Sequence, residues 1–105
     1  MVSPPRQGDI WWAEAEDKRR PVLVVTRSDA VAVLTLIVVA PVTRSVRPIP
    51  THVRLGEEEG LAVECAAAFD SLQPIRRAFL TERAGALGAH RRHELCLALR
   101  ALADC

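Results

Sequence analysis

Two strand-like runs separated by a short charged stretch constrain this chain more than any other feature. Gly8-Asp9-Ile10-Trp11-Trp12 opens on a Gly-Asp turn signal, and Pro21-Val22-Leu23-Val24-Val25 is β-branched and apolar throughout. Between them lie Glu14, Glu16, Asp17, Lys18, Arg19 and Arg20. The pattern is a β-hairpin with a charged connection. Proline is tolerated at the first residue of a strand because its missing N–H need not join the ladder. That context holds Arg20 on a rigid edge, where a guanidinium can grip a phosphate through planar, paired hydrogen bonds.

The rest of the chain continues in strand-like pieces. Asp9–Ala15 places two adjacent tryptophans on opposite faces of one strand, because side chains alternate. Pro21–Thr26 is almost wholly apolar and reads as a central strand buried on both sides. Ala32–Val42 is a second long β-branched run, with Ser28-Asp29 as the turn before it. Val46–Pro50 carries two prolines and reads as a loop. Thr51–Leu55 alternates, Gly56–Gly60 is an acidic turn, and Leu61–Leu72 reads as a further strand. Arg76–Leu80 is a candidate helical turn and Glu82–Leu87 a last short strand. Leu95, Leu99 and Leu102 then recur at helical spacing, which predicts an amphipathic helix over about residues 89–103. Strands followed by one closing helix give a small, mainly antiparallel α+β domain spanning residues 1–105.

Composition narrows the function classes. Half of the residues are hydrophobic, which excludes a disordered tail. The only aromatics are Trp11, Trp12, Phe69 and Phe79, so the core rests on aliphatics and a partner subunit would support it. The net charge of +1 does not announce a nucleic-acid binder, yet thirteen arginines face a single lysine, Lys18. Cys65, Cys96 and Cys105 show no metal-ligand spacing and are odd in number. The N-terminus lacks the apolar core of a signal peptide, and Ala30–Val42 is too short to span a bilayer. These features predict a cytoplasmic protein with reduced thiols, no metal, no other cofactor and no membrane partner.

Three blocks carry a family resemblance. Gly8–Trp12 with Arg19–Ala30, then Val38–Leu55, then Ala67–Leu72 resemble the signature blocks of the MazF/PemK toxins, the endoribonucleases of toxin–antitoxin modules. The resemblance runs from about Gly8 to the C-terminus. It implies an SH3-like small barrel of antiparallel strands with a C-terminal α-helix. It also implies metal-independent, sequence-selective cleavage of single-stranded RNA, whether mRNA, rRNA or tRNA. In that reaction the ribose 2′-OH attacks the adjacent phosphorus. A homodimer and a cognate antitoxin with a disordered, acidic C-terminal segment are implied as partners.

Carried over residue by residue, the resemblance aligns Arg20 with the family's catalytic arginine before proline. Charge stabilisation and proton donation to the leaving group are the roles a guanidinium can fill. Thr43, after Ala40-Pro41-Val42, aligns with the catalytic hydroxyl residue, although a turn threonine can equally satisfy its own backbone. Arg44, Ser45 and Arg47 follow as candidate RNA contacts. Asp70 resembles an acidic residue facing the site. The usual arginine three positions on is replaced by Gln73, which bears on substrate preference. His52 is read as structural. The Glu14–Arg19 loop is shorter than the family's glycine-rich loop. Two competing readings are a CcdB-like toxin that acts by binding protein, and a degenerate member that only binds RNA or its partner.

Overall fold

The computed structural model describes residues 4–103. Seven strands make one curled antiparallel sheet, a half-barrel closed by a C-terminal helix. The strands are β1 (Asp9–Ala15), β2 (Lys18–Val24), β3 (Leu36–Thr43), β4 (His52–Leu55), β5 (Cys65–Ala68), β6 (Gln73–Arg76) and β7 (Leu80–Ala86). Helix α1 (Ser28–Val31) is a single turn, and α2 (Arg92–Leu102) closes the chain. The order across the sheet is β4-β5-β3-β2-β1-β7, with β6 also paired to β3.

The opening hairpin is tighter than its sequence predicts. Glu14 pairs with Arg19 and Ala15 with Lys18, so the charged stretch is not a loop but the end of two strands. Only Glu16 and Asp17 turn the chain, at φ 51° and 63°. Positive φ at both central residues is the two-residue hairpin turn whose twist matches the flanking strands. Strand β2 therefore starts at Lys18 rather than Pro21 and ends at Val24 rather than Thr26. Pro21 sits one residue before the β2–β3 ladder begins at Val22, where a missing N–H is harmless.

Alternation along β1 and β2 divides the interior in two. Ile10 and Leu23 enter one cluster with Ala40, Val53, Leu55 and Phe69, and Leu95 and Ala98 of α2 cover it. Trp11, Val22 and Val24 enter the other with Val31, Ile37, Val39 and Leu80. The two tryptophans do separate, and the central strand is buried on both sides as its composition requires.

Four expectations need correction. The run from Ala32 does not start a strand: α1 and its exit occupy residues 28–35, and β3 begins at Leu36. Leu61–Leu72 is not one strand. Phe69 is fully buried and its N–H donates to the Thr51 carbonyl at 2.8 Å, which turns the chain through a 3₁₀ turn (Phe69–Ser71) between β5 and β6. Strand β7 spans Leu80–Ala86 rather than Glu82–Leu87. The closing helix begins at Arg92 after a 3₁₀ turn (Ala89–Arg91), and its buried stripe is Leu95, Ala98 and Leu99, with Leu102 exposed.

Two contacts fasten the 3₁₀ turn at Glu57–Glu59 to the rest. Gly60, at φ 91°, lies so close to β7 that a β-carbon would fall 2.1 Å from the Ala84 carbonyl oxygen. One on Gly85 would fall 2.0 Å from the carbonyl oxygen of Glu59, so the two backbones touch where only glycines fit. The buried Glu59 carboxylate accepts from Arg91 at 3.1 Å and from the Gly56 N–H at 2.7 Å. Arg91 also grips Glu94 at 2.7 and 2.9 Å and the Arg54 carbonyl at 2.7 Å. Strand β4, the turn and α2 are tied through that one guanidinium. No helix among the described residues is long and apolar enough to cross a membrane.

Candidate functional site

The site is built around the place where β2 and β3 part. Their ladder pairs Val24 with Val39, Leu23 with Ala40 and Val22 with Pro41. Continued by two residues, that register sets Arg20 opposite Thr43. The continuation is not made: past Pro41, β3 stays paired only along its other edge, Val42 with Ala67 and Thr43 with Ala66 of β5. A seam opens with an arginine on one bank and a threonine on the other.

Arg20 remains paired to β1 through Ala13, so its backbone is fixed. Its side chain makes no hydrogen bond or ion pair among the described residues. It lines a depression with Lys18, Pro41, Gln73 and Phe79. Gln73 comes to this wall because it heads β6, opposite Val39. Arg20 and Gln73 are thus brought together, though sequence placed them apart.

Thr43 ends β3, half-buried. Its Oγ1 accepts a hydrogen bond from the Ser45 N–H at 3.1 Å, the turn geometry open to any threonine at a strand end. That bond uses an oxygen lone pair and leaves the hydroxyl proton available. Thr43 and Arg44 line a cavity other than the one Arg20 faces. Lys18, Arg20 and Val22 line one face of the hairpin; Arg19 and Pro21 line the opposite one with Thr43. The seam therefore has two mouths, and the two candidate catalytic residues flank it rather than share a pocket.

Arg44, Ser45 and Arg47 sit in the exposed connection from β3 to β4, and among the described residues neither arginine forms an ion pair. His52 organises this connection. Its Nδ1 accepts from the Arg47 N–H at 3.3 Å, and its Nε2 lies 3.7 Å from Oδ1 of Asp70. The imidazole is 6% exposed, whereas the Asp70 carboxylate is half exposed. Asp70 thus lies beside the β3–β4 connection and does not line the depression that holds Arg20. Cys65 lies at the floor of the Thr43 cavity, where burial first, and Glu59 second, push its thiol up and leave it unreactive. Cys96 is exposed, and Cys105 lies outside the described residues. No group of three or more His, Cys, Asp or Glu side chains is arranged to hold a metal among the described residues.

One feature escaped the sequence reading. The Arg19 guanidinium lies 4.3 Å from the centre of the Trp12 ring, pinned there by ion pairs to Glu82 and, at 3.8 Å, to Glu14. Trp12 pairs with Pro21, so Arg19 is its diagonal cross-strand neighbour, within reach of an aromatic ring. The signal was present in the two-residue turn: once Glu16-Asp17 is recognised, the register follows.

The family profile of PemK-like, MazF-like toxins of type II toxin–antitoxin systems matches residues 6–103. A Mycobacterium tuberculosis protein named "Probable endoribonuclease MazF5" is 35% identical over 107 residues, covering 100% of this chain and 98% of the relative. The solved structure of the Mycobacterium tuberculosis toxin MazF-mt6 superimposes with a TM-score of 0.83 at 33% identity, over 90% of this chain and 94% of that one. A mycobacterial endoribonuclease solved in complex with its cognate antitoxin superimposes at 0.80, over 93% of both chains; at 20% identity it bears on the fold.

Proposed function

The chain belongs to the PemK-like, MazF-like toxins of type II toxin–antitoxin systems, and on that premise we propose that it is an endoribonuclease that cuts single-stranded RNA at a short sequence. The observation that supports the reading is the β2–β3 seam, flanked by Arg20 on β2, its guanidinium unpaired among the described residues, and by Thr43 at the end of β3. An anion that bridges the seam meets a planar cation from one bank and a hydroxyl donor from the other. A phosphodiester has that charge.

The chemistry needs little else. The ribose 2′-OH gives up its proton to solvent water and attacks the neighbouring phosphorus, and the P–O5′ bond breaks as O5′ takes up a proton in turn. The products are a 2′,3′-cyclic phosphate and a 5′-OH, and no metal takes part. Arg20 neutralises charge growing on the phosphoryl oxygens and supports protonation of the leaving O5′. Thr43 donates its remaining hydroxyl proton to a non-bridging oxygen. Arg44, Ser45 and Arg47 hold flanking phosphates or bases. Gln73, beside Arg20, and Asp70, at the β3–β4 connection, present groups that can read base edges of a splayed strand.

The same reading makes the protein a cytoplasmic homodimer held in check by a cognate antitoxin. Val33, Leu36 and Leu97 are more than half exposed and support burial against a second subunit. An acidic antitoxin segment would order across the seam and compete with RNA for Arg20, Arg44 and Arg47. A CcdB-like mode of action is disfavoured by Arg20 and Thr43 together at the seam.

The test is to incubate purified protein with total RNA in EDTA and map new 5′-OH ends. Cleavage at one recurrent short sequence is expected. Intact RNA, or activity that requires added Mg²⁺, would overturn the reading.

A further inference from the structure

The seam's second mouth suits a different group from a phosphate. On the face of the hairpin opposite Arg20 lies a cavity of about 270 Å³. Trp12, Pro21, Leu61 and Val63 supply apolar walls, and Thr43 and Arg44 stand at one side. Val63 is 47% exposed, so the opening itself is apolar. This volume lies just under the range of small-molecule pockets, room for one ring system rather than a length of chain.

The Arg19 side of this wall is already neutralised, and Arg44, unpaired among the described residues, leaves one cation at its rim. Glu14 and Glu82 hold Arg19 over Trp12, so it offers a planar group instead of a free charge. The cavity's inner walls are apolar, and its polar groups, Thr43 and Arg44, stand to one side, so a phosphate carried inside would give up more hydration than those groups replace. A flat, uncharged, partly polar group would not.

We propose that this cavity receives one unstacked nucleobase of the RNA, immediately next to the scissile phosphate, and that Trp12 with its Arg19 partner is the platform on which it stacks. The proposal rests on the endoribonuclease reading above and assigns the site's base preference. Thr43 links the two functions, since it ends the strand at the seam and lines the cavity as well. Base–aromatic stacking accounts for roughly ten- to a hundredfold in affinity per base. It tolerates any base by its face, so the cavity's size and its few polar atoms would set the preference.

The experiment begins with the wild-type cut motif, mapped from 5′-OH ends. Oligonucleotides carrying that motif, with a 2′-deoxy nucleotide at the cut, bind without being cleaved. Each flanking base is then removed in turn to leave an abasic site. One position should lose roughly ten- to a hundredfold in affinity. Ala62→Leu narrows the cavity from an exposed position that the fold tolerates; it should lose a similar factor and make that abasic site neutral. Its mapped motif should lose the preference for that base. Trp12→Phe, which keeps a smaller ring, should fall between the two.

If Ala62→Leu cuts the same motif with the same affinity, or every abasic site costs wild type and variant alike, the cavity does not hold a base. If wild-type protein cleaves no RNA at all, the endoribonuclease reading fails, and this assignment with it. Cleavage with an unchanged motif rejects this assignment alone.

Discussion

The backbone N–H of Arg47 donates to Nδ1 of His52, so a nearly buried imidazole on β4 anchors the connection that carries Arg44, Ser45 and Arg47. The same ring faces Asp70. On the proposed function, His52 would act on RNA through its neighbours, as a positioning residue. Loss of one such hydrogen bond is worth about 1 kcal/mol. His52→Ala should therefore raise KM for RNA by roughly fivefold and leave kcat nearly unchanged. His52→Gln, which keeps an acceptor, should recover much of the loss. Steady-state kinetics on a single-site RNA would show it; a fall in kcat alone would point to direct chemistry instead.

Arg20→Ala and Thr43→Ala should each remove most cleavage, by about a hundred- to a thousandfold, the usual effect of deleting one transition-state donor. Neither side chain belongs to the buried clusters, so melting curves should stay close to wild type. Arg20→Lys should fail as well, because an ammonium lacks the paired geometry of a guanidinium. Thr43→Ser, which keeps the hydroxyl, should retain activity. Near-wild-type rates in either alanine variant would remove that residue from the chemistry.

Arg91→Met should destabilise the fold strongly. It strands the Glu59 carboxylate, 6% exposed, with only the Gly56 N–H as partner. Removing one member of a buried pair costs about 3 kcal/mol or more. At this chain length that corresponds to a drop in melting temperature of more than about 10 °C, which calorimetry would measure.

Acid should loosen the same tie. Hydrogen bonds from Arg91 hold the Glu94 carboxyl below its usual range. A carboxyl depressed in the folded state contributes stability that is complete above its unfolded value, about 4.3, and lost as pH falls through the folded one. The wild-type melting temperature should therefore drop as pH falls from about 5 to about 3. Glu94→Gln, with no proton to take up, should show the shallower curve over that window.

Replacing Glu16-Asp17 by Asn-Gly should stabilise the protein. Both residues now sit at positive φ, where a glutamate β-carbon is crowded and Asn-Gly is favoured. A gain of about 0.5–1 kcal/mol, or a few degrees in melting temperature, is expected. No gain would mean that the Glu14–Arg19 pairing, not the turn, sets the hairpin's stability.

The parts of the fold legible in sequence were those where one physical rule dominated. Trp11 and Trp12 had to face opposite ways, and Val22-Leu23-Val24 had to lie between two layers. Leu95 and Leu99 had to share a helix face. The rest turned on competition between rules. Ala66–Phe69 reads as an unbroken apolar run, and nothing local says that Phe69 will plunge inward and end the strand. Ala32–Leu34 is as apolar as the strand after it, yet it leaves α1 as a turn with Val33 in solvent. At the site, the motif residues could be named, but not that Gln73 would join Arg20 while Asp70 joined His52. That sorting depends on which edge of β3 each strand occupies, a long-range fact with no local signature.

The failure of β2 and β3 to finish their ladder has a further meaning. A barrel gains stability from every pair it zips, and this one forgoes two at the point where Arg20 and Thr43 would meet. Substitutions that drew the strands together there would make a sturdier protein and a harmless one. If the seam is the site proposed above, it sets a trade between endurance and toxicity, and variants that escape toxicity without unfolding should be sought along its two banks.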